Sequence, residues 1–556
     1  MSIIDWFVMF GTLAGIISYG WWRGRINKTT TDYLLAGKSM PWYAMALSIM
    51  ATQASAITFI STTGQAYVDG MRFVQFYFGL PLAMVILSAT AVPIFHRANV
   101  YTAYEYLEQR FDSKTRSLVS GIFLIQRGLA VGLALYAPAV VLSVLLGWPD
   151  QWTTLVMGLV VVTYTVSGGI QAVTWADFQQ MIIMLCGLLA AFFTAIYLMP
   201  AGIGLSEALE IAGAAGRLNP VTFNFSWADR YNIFSGLLGG MFLALAYFGC
   251  DQSQVQRYLT GKSISESRIS LLFNAIAKIP MQFFILLTGA MVFVFFTFVQ
   301  PPMVFHPSNL KKIEAHADYP ATAQVYNAAF AERKLAAEEL VQNKSSSASR
   351  KRFTEAQKGF DAARRQSAAL VDKVTGEKGF NDTNYIFLTF VTKYLPVGIV
   401  GIVLAVILGA AMSTISAEIN SLATVSVIDI YKRHVRKNGS DTHYLLVSRI
   451  ATAFWGMYAV ATAQYGKNLG SLVEAVNMLG SLFYGGLLGV FVLAMYFKKV
   501  GGTAAFIGVL VGEAAIFAAH FTKFTSFLWF NVIGCLVVIA TALIVTAVIG
   551  EKQEVS

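Results

Sequence analysis

Apolar runs of helix length, each ended by charged or small polar residues, recur thirteen times along the chain. They cover residues 3–22, 42–66, 73–95, 117–146, 152–167, 172–199, 231–249, 269–298, 395–424, 444–464, 470–497, 503–521 and 524–549. A bilayer core takes about 20 apolar residues per helix, so the pattern predicts an all-α membrane protein. The fifth run is short, and its ends are set only to within several residues. One long polar interval, residues 299–383, separates the eighth run from the ninth.

Some apolar runs are interrupted. In the ninth, Gly409-Ala-Ala-Met-Ser413-Thr414-Ile-Ser416-Ala-Glu418-Ile-Asn420 places hydroxyls, an acid and an amide in mid-span. Such groups are costly in hydrocarbon and face a bundle interior or an ion path. A single hydroxyl bonds its own backbone and glues helices together. Two adjacent hydroxyls followed by Ser416, Glu418 and Asn420 point instead to an ion. In the second run Ala51-Thr-Gln53-Ala54-Ser55-Ala-Ile-Thr58 is a small-residue interruption, and Tyr247-Phe-Gly249-Cys-Asp251 is its counterpart in the seventh. Broken helices of this kind expose carbonyls at mid-membrane. Close small-residue packing is the competing reading of the first break.

Composition agrees with the pattern. The 556 residues are 56% hydrophobic and 13% charged, about half the charge of a soluble domain, and mean hydropathy is +0.60. Cytoplasmic loops collect Lys and Arg. Arg23, Arg25, Lys28, Lys38, Arg97, Arg110, Lys114, Arg116, Arg257, Lys262, Arg268, Lys432, Arg433, Arg436, Lys437, Lys498, Lys499 and Lys552 fall on one side. The short loops opposite hold only Arg72, Arg217, Arg230, Lys467 and Lys523. The N-terminus is therefore expected outside a cell membrane and the C-terminus inside. This bias accounts for most of the net charge of +10, so a nucleic-acid partner is not implied. The first run starts Met-Ser-Ile-Ile-Asp with no basic leader region and reads as a span. Cys186, Cys250 and Cys535 show no metal or disulfide spacing and read as small packing residues.

Residues 299–383 hold 13 Lys/Arg and 10 Asp/Glu. Ala323 to Leu340 and Arg350 to Val371 are rich in helix formers, joined by Asn343-Lys-Ser-Ser-Ser-Ala-Ser. The expectation is a solvated extracellular helical hairpin, with a docking surface for an unknown partner as the alternative.

Gly168-Gly169-Ile-Gln-Ala-Val-Thr-Trp175-Ala-Asp177, then Gly249-Cys-Asp251-Gln252-Ser-Gln-Val-Gln256-Arg257, Ser413-Thr414, Asn420 and Asp429-Ile430-Tyr431-Lys432 form an ordered set. Together they resemble the sodium/solute symporter family of sodium–glucose, monocarboxylate, multivitamin, iodide and sialic acid carriers. Tyr104-Glu-Tyr-Leu-Glu-Gln-Arg110, Tyr136-Ala-Pro138-Ala and Asn420-Ser-Leu-Ala-Thr-Val are similar to runs in the anion-carrying branch. The resemblance implies a LeuT-like fold of two inverted five-helix repeats. Residues 1–41 then hold an extra span and a loop, 42–199 the first repeat, 200–298 and 384–499 the second repeat around the 299–383 insertion, and 500–556 two further spans.

The resemblance also implies a ligand set for Na+: carbonyls of Ala51, Ala54 and Ala410 with the hydroxyls of Ser413 and Thr414. Oxygen-only ligation suits a hard cation. Asp177, Ser413 and Ser416 match a possible second sodium site, although Ala417 stands where some two-sodium members have serine. Capping a helix after Gly168-Gly169 is the alternative role for Asp177. For the solute, Tyr247 matches an inner aromatic gate and Lys278 a lysine of the sugar pocket. Ile57, Thr58, Tyr77 and Ala244 stand where sugar carriers present polar groups, and Asn477 keeps an amide.

Arg127 lies ten residues into the fourth run, about 15 Å deep at 1.5 Å per residue. A buried Arg calls for an anion: Asp177, Glu418 or the solute's own carboxylate. The candidate solute-binding set is Gln53, Thr58, Tyr77, Arg127, Tyr247, Lys278 and Asn477. The expected activity is sodium-coupled import of a small organic solute, a carboxylate ahead of a sugar. A transporter-like sensor acting through 299–383 and a uniporter or channel are the rivals. No nucleotide-binding or enzymatic motif is present, since Gly168-Gly169 lacks a following Gly-Lys-Ser/Thr.

Overall fold

The computed structural model describes residues 1–24, 29–343, 346–376, 378–464 and 471–549. Arg25, Lys28, Lys467 and Lys552 of the charge count, and Lys344-Ser345 of the hairpin turn, lie outside them. Among the described residues ten helices are long and apolar enough to cross a membrane, with a shorter apolar helix at Ser235–Gly249. The count is below thirteen because several expected spans are short or broken. Runs five and six lie within one helical stretch, Asp150–Tyr197, which turns at Gly169 (φ 60°, ψ −175°), backbone that glycine alone adopts without strain.

The two expected breaks are present. Helix Trp42–Gln53 stops at Ala54 (φ −95°, ψ 65°), and the chain resumes helical winding as a π-turn at Thr58–Thr62. Thr58 donates its hydroxyl back to the Gln53 carbonyl at 3.2 Å, satisfying a backbone acceptor that the break has freed. In the seventh span, helix Gly240–Gly249 ends at Cys250. Asp251 then caps Gln252–Leu259, accepting from the Ser253 N–H.

Small residues let the elements around both breaks touch. A Cβ on Gly236 or Gly240 would sit 2.1 and 2.4 Å from the carbonyls of Gln75 and Phe76. One on Gly64 would meet the Thr383 carbonyl at 2.1 Å. Such close packing is how membrane helices associate without a hydrophobic driving force between them. Cys250 and Cys535 are buried as expected, whereas Cys186 lies on the exposed face of its helix.

The charged insertion forms helices Tyr319–Gln342 and Ser347–Thr375, longer than expected by a few residues at each end. It is more than a solvated hairpin. Tyr326, Phe330, Phe360, Leu370 and Val371 make a small core of their own with Met303, Val304 and Ile313. Arg333 is fully buried: its guanidinium stacks 3.5 Å from the Phe360 ring centre and donates to the Phe296 carbonyl at 2.6 Å. Burial lowers that guanidinium to about 10, so it remains charged at neutral pH. Arg364 and Asp382 pair at 2.8 Å, and Asp382 accepts from the Phe305 N–H. These contacts seat the hairpin on the end of the membrane helix Ile264–Phe298.

Candidate functional site: a mid-membrane ion and solute site

Helix Ile399–Val425 carries Ala410, Ser413, Thr414, Ser416 and Glu418, all buried. Thr414 reaches the broken second span, its hydroxyl 3.4 Å from the Thr52 carbonyl. Ala51 and Ala54, at the end of that broken helix, are both fully buried. The last carbonyls of a helix lack the usual partners four residues on, and Thr414 lies against the end of that broken helix. Ser416 donates to the Ser413 carbonyl at 2.9 Å.

Asp177 sits within its helix and caps nothing. Ser413 donates to its Oδ1, Ser48 to its Oδ2 at 2.5 Å, and Arg257 pairs with Oδ2 at 3.1 Å. Arg257 also donates to Ser48 Oγ at 2.9 Å. The alternative that Asp177 neutralises Arg127 is therefore replaced: the cation at Asp177 is Arg257.

Arg127 has other partners. Its Nη1 donates to Glu418 Oε1 at 2.8 Å, and its Nη2 pairs with Asp251 Oδ2. Tyr484 bridges the pair, its hydroxyl 2.8 Å from both Arg127 Nη2 and Asp251 Oδ2. Of the three partners considered, Glu418 is present and Asp177 is not, and with Asp251 added the fork meets acids at both ends rather than standing open to a solute carboxylate. The sequence supplied Glu418 as a candidate partner but not Asp251 or Tyr484, which lie 124 and 357 residues from Arg127.

Beside these clusters is a cavity of about 90 Å³. Gln53, Thr58, Tyr77, Arg127, Tyr247 and Asn477 all line it, together with Gln126, Thr414, Glu418 and Tyr484. Ile57, Phe76, Val473 and Val476 supply its apolar wall. Lys278 is the one expected solute residue outside the lining. It lies 5.4 Å from the Tyr77 ring centre, fully buried, with no hydrogen-bond partner for its ammonium. Tyr247 is held by Gln254, whose Nε2 donates to the phenol at 2.7 Å. Asn477 turns its amide to the Val473 carbonyl at 2.7 Å. Gln126 was missed because an amide in an apolar helix resembles any packed polar residue until its neighbours are known.

Similarity to known proteins agrees with this arrangement. The chain is 26% identical over 563 residues to a sodium/sialic acid symporter of Proteus mirabilis, covering all of this chain and 97% of that one. It is 27% identical over 539 residues to a sodium/glucose cotransporter of Vibrio parahaemolyticus, covering 94% and 86%. It is 26% identical over 489 residues to sodium-coupled monocarboxylate transporter 1 of Xenopus laevis, covering 88% and 66%. The fold matches the substrate-bound, outward-open state of a Na+-coupled sialic acid symporter with a TM-score of 0.76 at 24% identity, over 98% of both chains. The profile of the Sodium:solute symporter family matches residues 33–325 and 363–512, and with most of its length so accounted for, this multi-pass membrane chain belongs to that family of sodium-coupled carriers.

Proposed function

We propose that this chain couples inward sodium flow to uptake of a small organic solute that donates hydrogen bonds. The observation that carries this reading is the convergence of six side chains from five spans on a cavity whose wall includes Thr414. In this proposal sodium binds to the carbonyls of Ala51, Ala54 and Ala410 and to the hydroxyls of Ser413 and Thr414. The oxygen-only donor set suits the ion, and the broken backbone beside Thr414 supports the assignment. Asp177 already faces Arg257, Ser48 and Ser413, so we assign it to tuning this one site rather than to a second ion.

Coupling follows from the shared wall. Thr414 belongs to the sodium set and to the cavity lining, while Gln53 and Thr58 flank the break. Ordering the break for one ligand lowers the cost of ordering it for the other. Rocking of one five-helix half against the other then exposes the site to either side. In this topology the N-terminus and residues 299–383 lie outside the cell and the C-terminus inside. Residues 42–199 form one half, 200–298 and 384–499 the other, and 500–556 the two extra spans.

A solute carboxylate gripped by Arg127 is not part of the proposal, because that guanidinium already meets two acids. The test is uptake into proteoliposomes under an inward sodium gradient, using a panel of sugars, sialic acids, monocarboxylates and amino acids. The Ser413→Ala/Thr414→Ala double variant should lose most sodium stimulation while remaining folded. Equal sodium dependence in the double variant overturns the site assignment.

A further inference from the structure

We propose that Glu418 receives a protonated amine of the solute, so that the carrier's class of cargo is small ammonium-bearing organic molecules. This inference rests on the cavity being the solute site. It begins with a charge inventory of the cavity wall and the groups bonded to it. Arg127 is the one cation in the lining, and the acids it meets are Asp251 and Glu418. With both carboxyls ionised, one positive and two negative charges leave a negative surplus in a buried site, which a further cation or a proton on Glu418 would remove. Asp251 is otherwise well satisfied: its Oδ1 accepts from the Ser253 N–H and hydroxyl at 2.9 and 2.7 Å. Glu418 is not. Its Oε1 accepts from Arg127, whereas its buried Oε2 has no hydrogen-bond partner among the described residues.

Two further acceptors share this condition. Gln53 Oε1 and Gln126 Oε1 are buried without partners, and both residues line the same cavity as Glu418. An ammonium group offers three N–H donors, which matches three waiting acceptors. The rest of the wall fits an organic cation better than a second metal ion. Tyr77 and Tyr247 present aromatic rings, which attract a cation to their faces. Ile57, Val473 and Val476 present hydrocarbon to a carbon skeleton, where a hard metal ion would need more oxygens. Lys278, the other buried cation nearby, lies outside the lining, beside Tyr77.

The experiment is thermal unfolding of the purified full-length carrier in detergent, with and without sodium, against solutes matched in pairs. L-alanine and L-lactate, and glucosamine and glucose, differ by an amine for a hydroxyl. At least one amine should stabilise the protein in sodium with an affinity at least tenfold above its hydroxyl partner. Glu418→Gln should erase that preference, and Glu418→Asp should restore part of it. A retained sodium shift in Glu418→Gln demonstrates that the variant is folded. The proposal is overturned if no amine stabilises the wild type, if lactate or glucose does so equally well, or if Glu418→Gln changes only the sodium requirement. Loss of the sodium shift in the wild type would instead sink the sodium-coupled reading itself, so the two failures are distinguishable.

Discussion

Two buried ion clusters lie within the same bundle, and they differ by one charge. Around Asp177 a single acid meets a single guanidinium, Arg257, with Ser48 and Ser413 filling the remaining contacts. Around Arg127 one guanidinium meets two acids, Asp251 and Glu418, with Tyr484 between. The first cluster balances in formal charge. The second is short of a cation, and its unfilled oxygen belongs to a residue of the cavity wall. On the reading proposed above, local charge balance separates the cluster that tunes the sodium site from the one that faces the solute.

Removing the guanidinium from each cluster gives the sharpest test of that contrast. Arg127→Met strands two carboxylates and Arg257→Met only one. Breaking a buried pair by deleting one partner costs about 3–5 kcal/mol, and Arg127→Met should reach or exceed the top of that range. Melting temperatures of the two variants in detergent would rank them, and a more damaging Arg257→Met would break the comparison.

A smaller effect is expected from Asp177→Asn. It keeps the shape of the balanced cluster but leaves Arg257 without its counter-charge beside Ser413. Half-maximal uptake should then require about tenfold more sodium, the equivalent of about 1.4 kcal/mol, while solute affinity at saturating sodium stays within about twofold. A change in solute affinity alone would move Asp177 into the solute site.

The insertion extends the comparison to a cation that, among the described residues, has no acid bonded to it. Arg333 is buried on Phe360 and bonded to a backbone carbonyl, so Arg333→Ala removes packing and a charge-assisted hydrogen bond together. Faster proteolysis between residues 299 and 383, with little change in sodium stimulation, is the expected result.

The smallest effect belongs to the exposed pair of Lys373 and Asp318, 2.6 Å apart. The hydrogen bond and charge of Lys373 hold the Asp318 carboxyl below its usual range. A lowered carboxyl contributes stability above its unfolded value and loses it as pH falls through the folded one. Solvent screening leaves such a pair worth little, so Lys373→Ala should not move the melting temperature measurably at pH 7, nor alter its decline in acid.

The spans and the two breaks were legible because each is a local conflict. Thr58, Ser413 and Thr414 are conspicuous against hydrocarbon, and a bilayer tolerates them only where another element meets them. Six of the seven expected solute residues reach the cavity, most of them carried over from the family resemblance rather than read from the chain. Lys278, also carried over that way, does not line it. The partners of Arg127 and Asp177 were hidden. Each buried charge declares that a counter-charge exists, yet the three acids Asp177, Asp251 and Glu418 and the two arginines can be paired in several ways. Three-dimensional packing alone selects among them. The run Tyr104 to Arg110 resembles the anion-carrying branch, and Asp429 to Lys432 belongs to the ordered set that resembles the whole family. In the fold, Arg116 joins them, bonding Glu108 at 2.7 Å and Asp429 at 2.7 Å, a tie between helix ends that spacing along the chain could not reveal.

The seating of the hairpin has a practical consequence. Arg333 is fastened to the carbonyl of Phe296, Arg364 lies over the Tyr67 ring and Thr354 donates to the Ala214 carbonyl, so the hairpin is tied to several elements at once. Its outer surface therefore registers how those elements shift against one another. A fluorophore or antibody fragment placed on an exposed position such as Lys351 would read the working cycle from outside the membrane without touching the transport path.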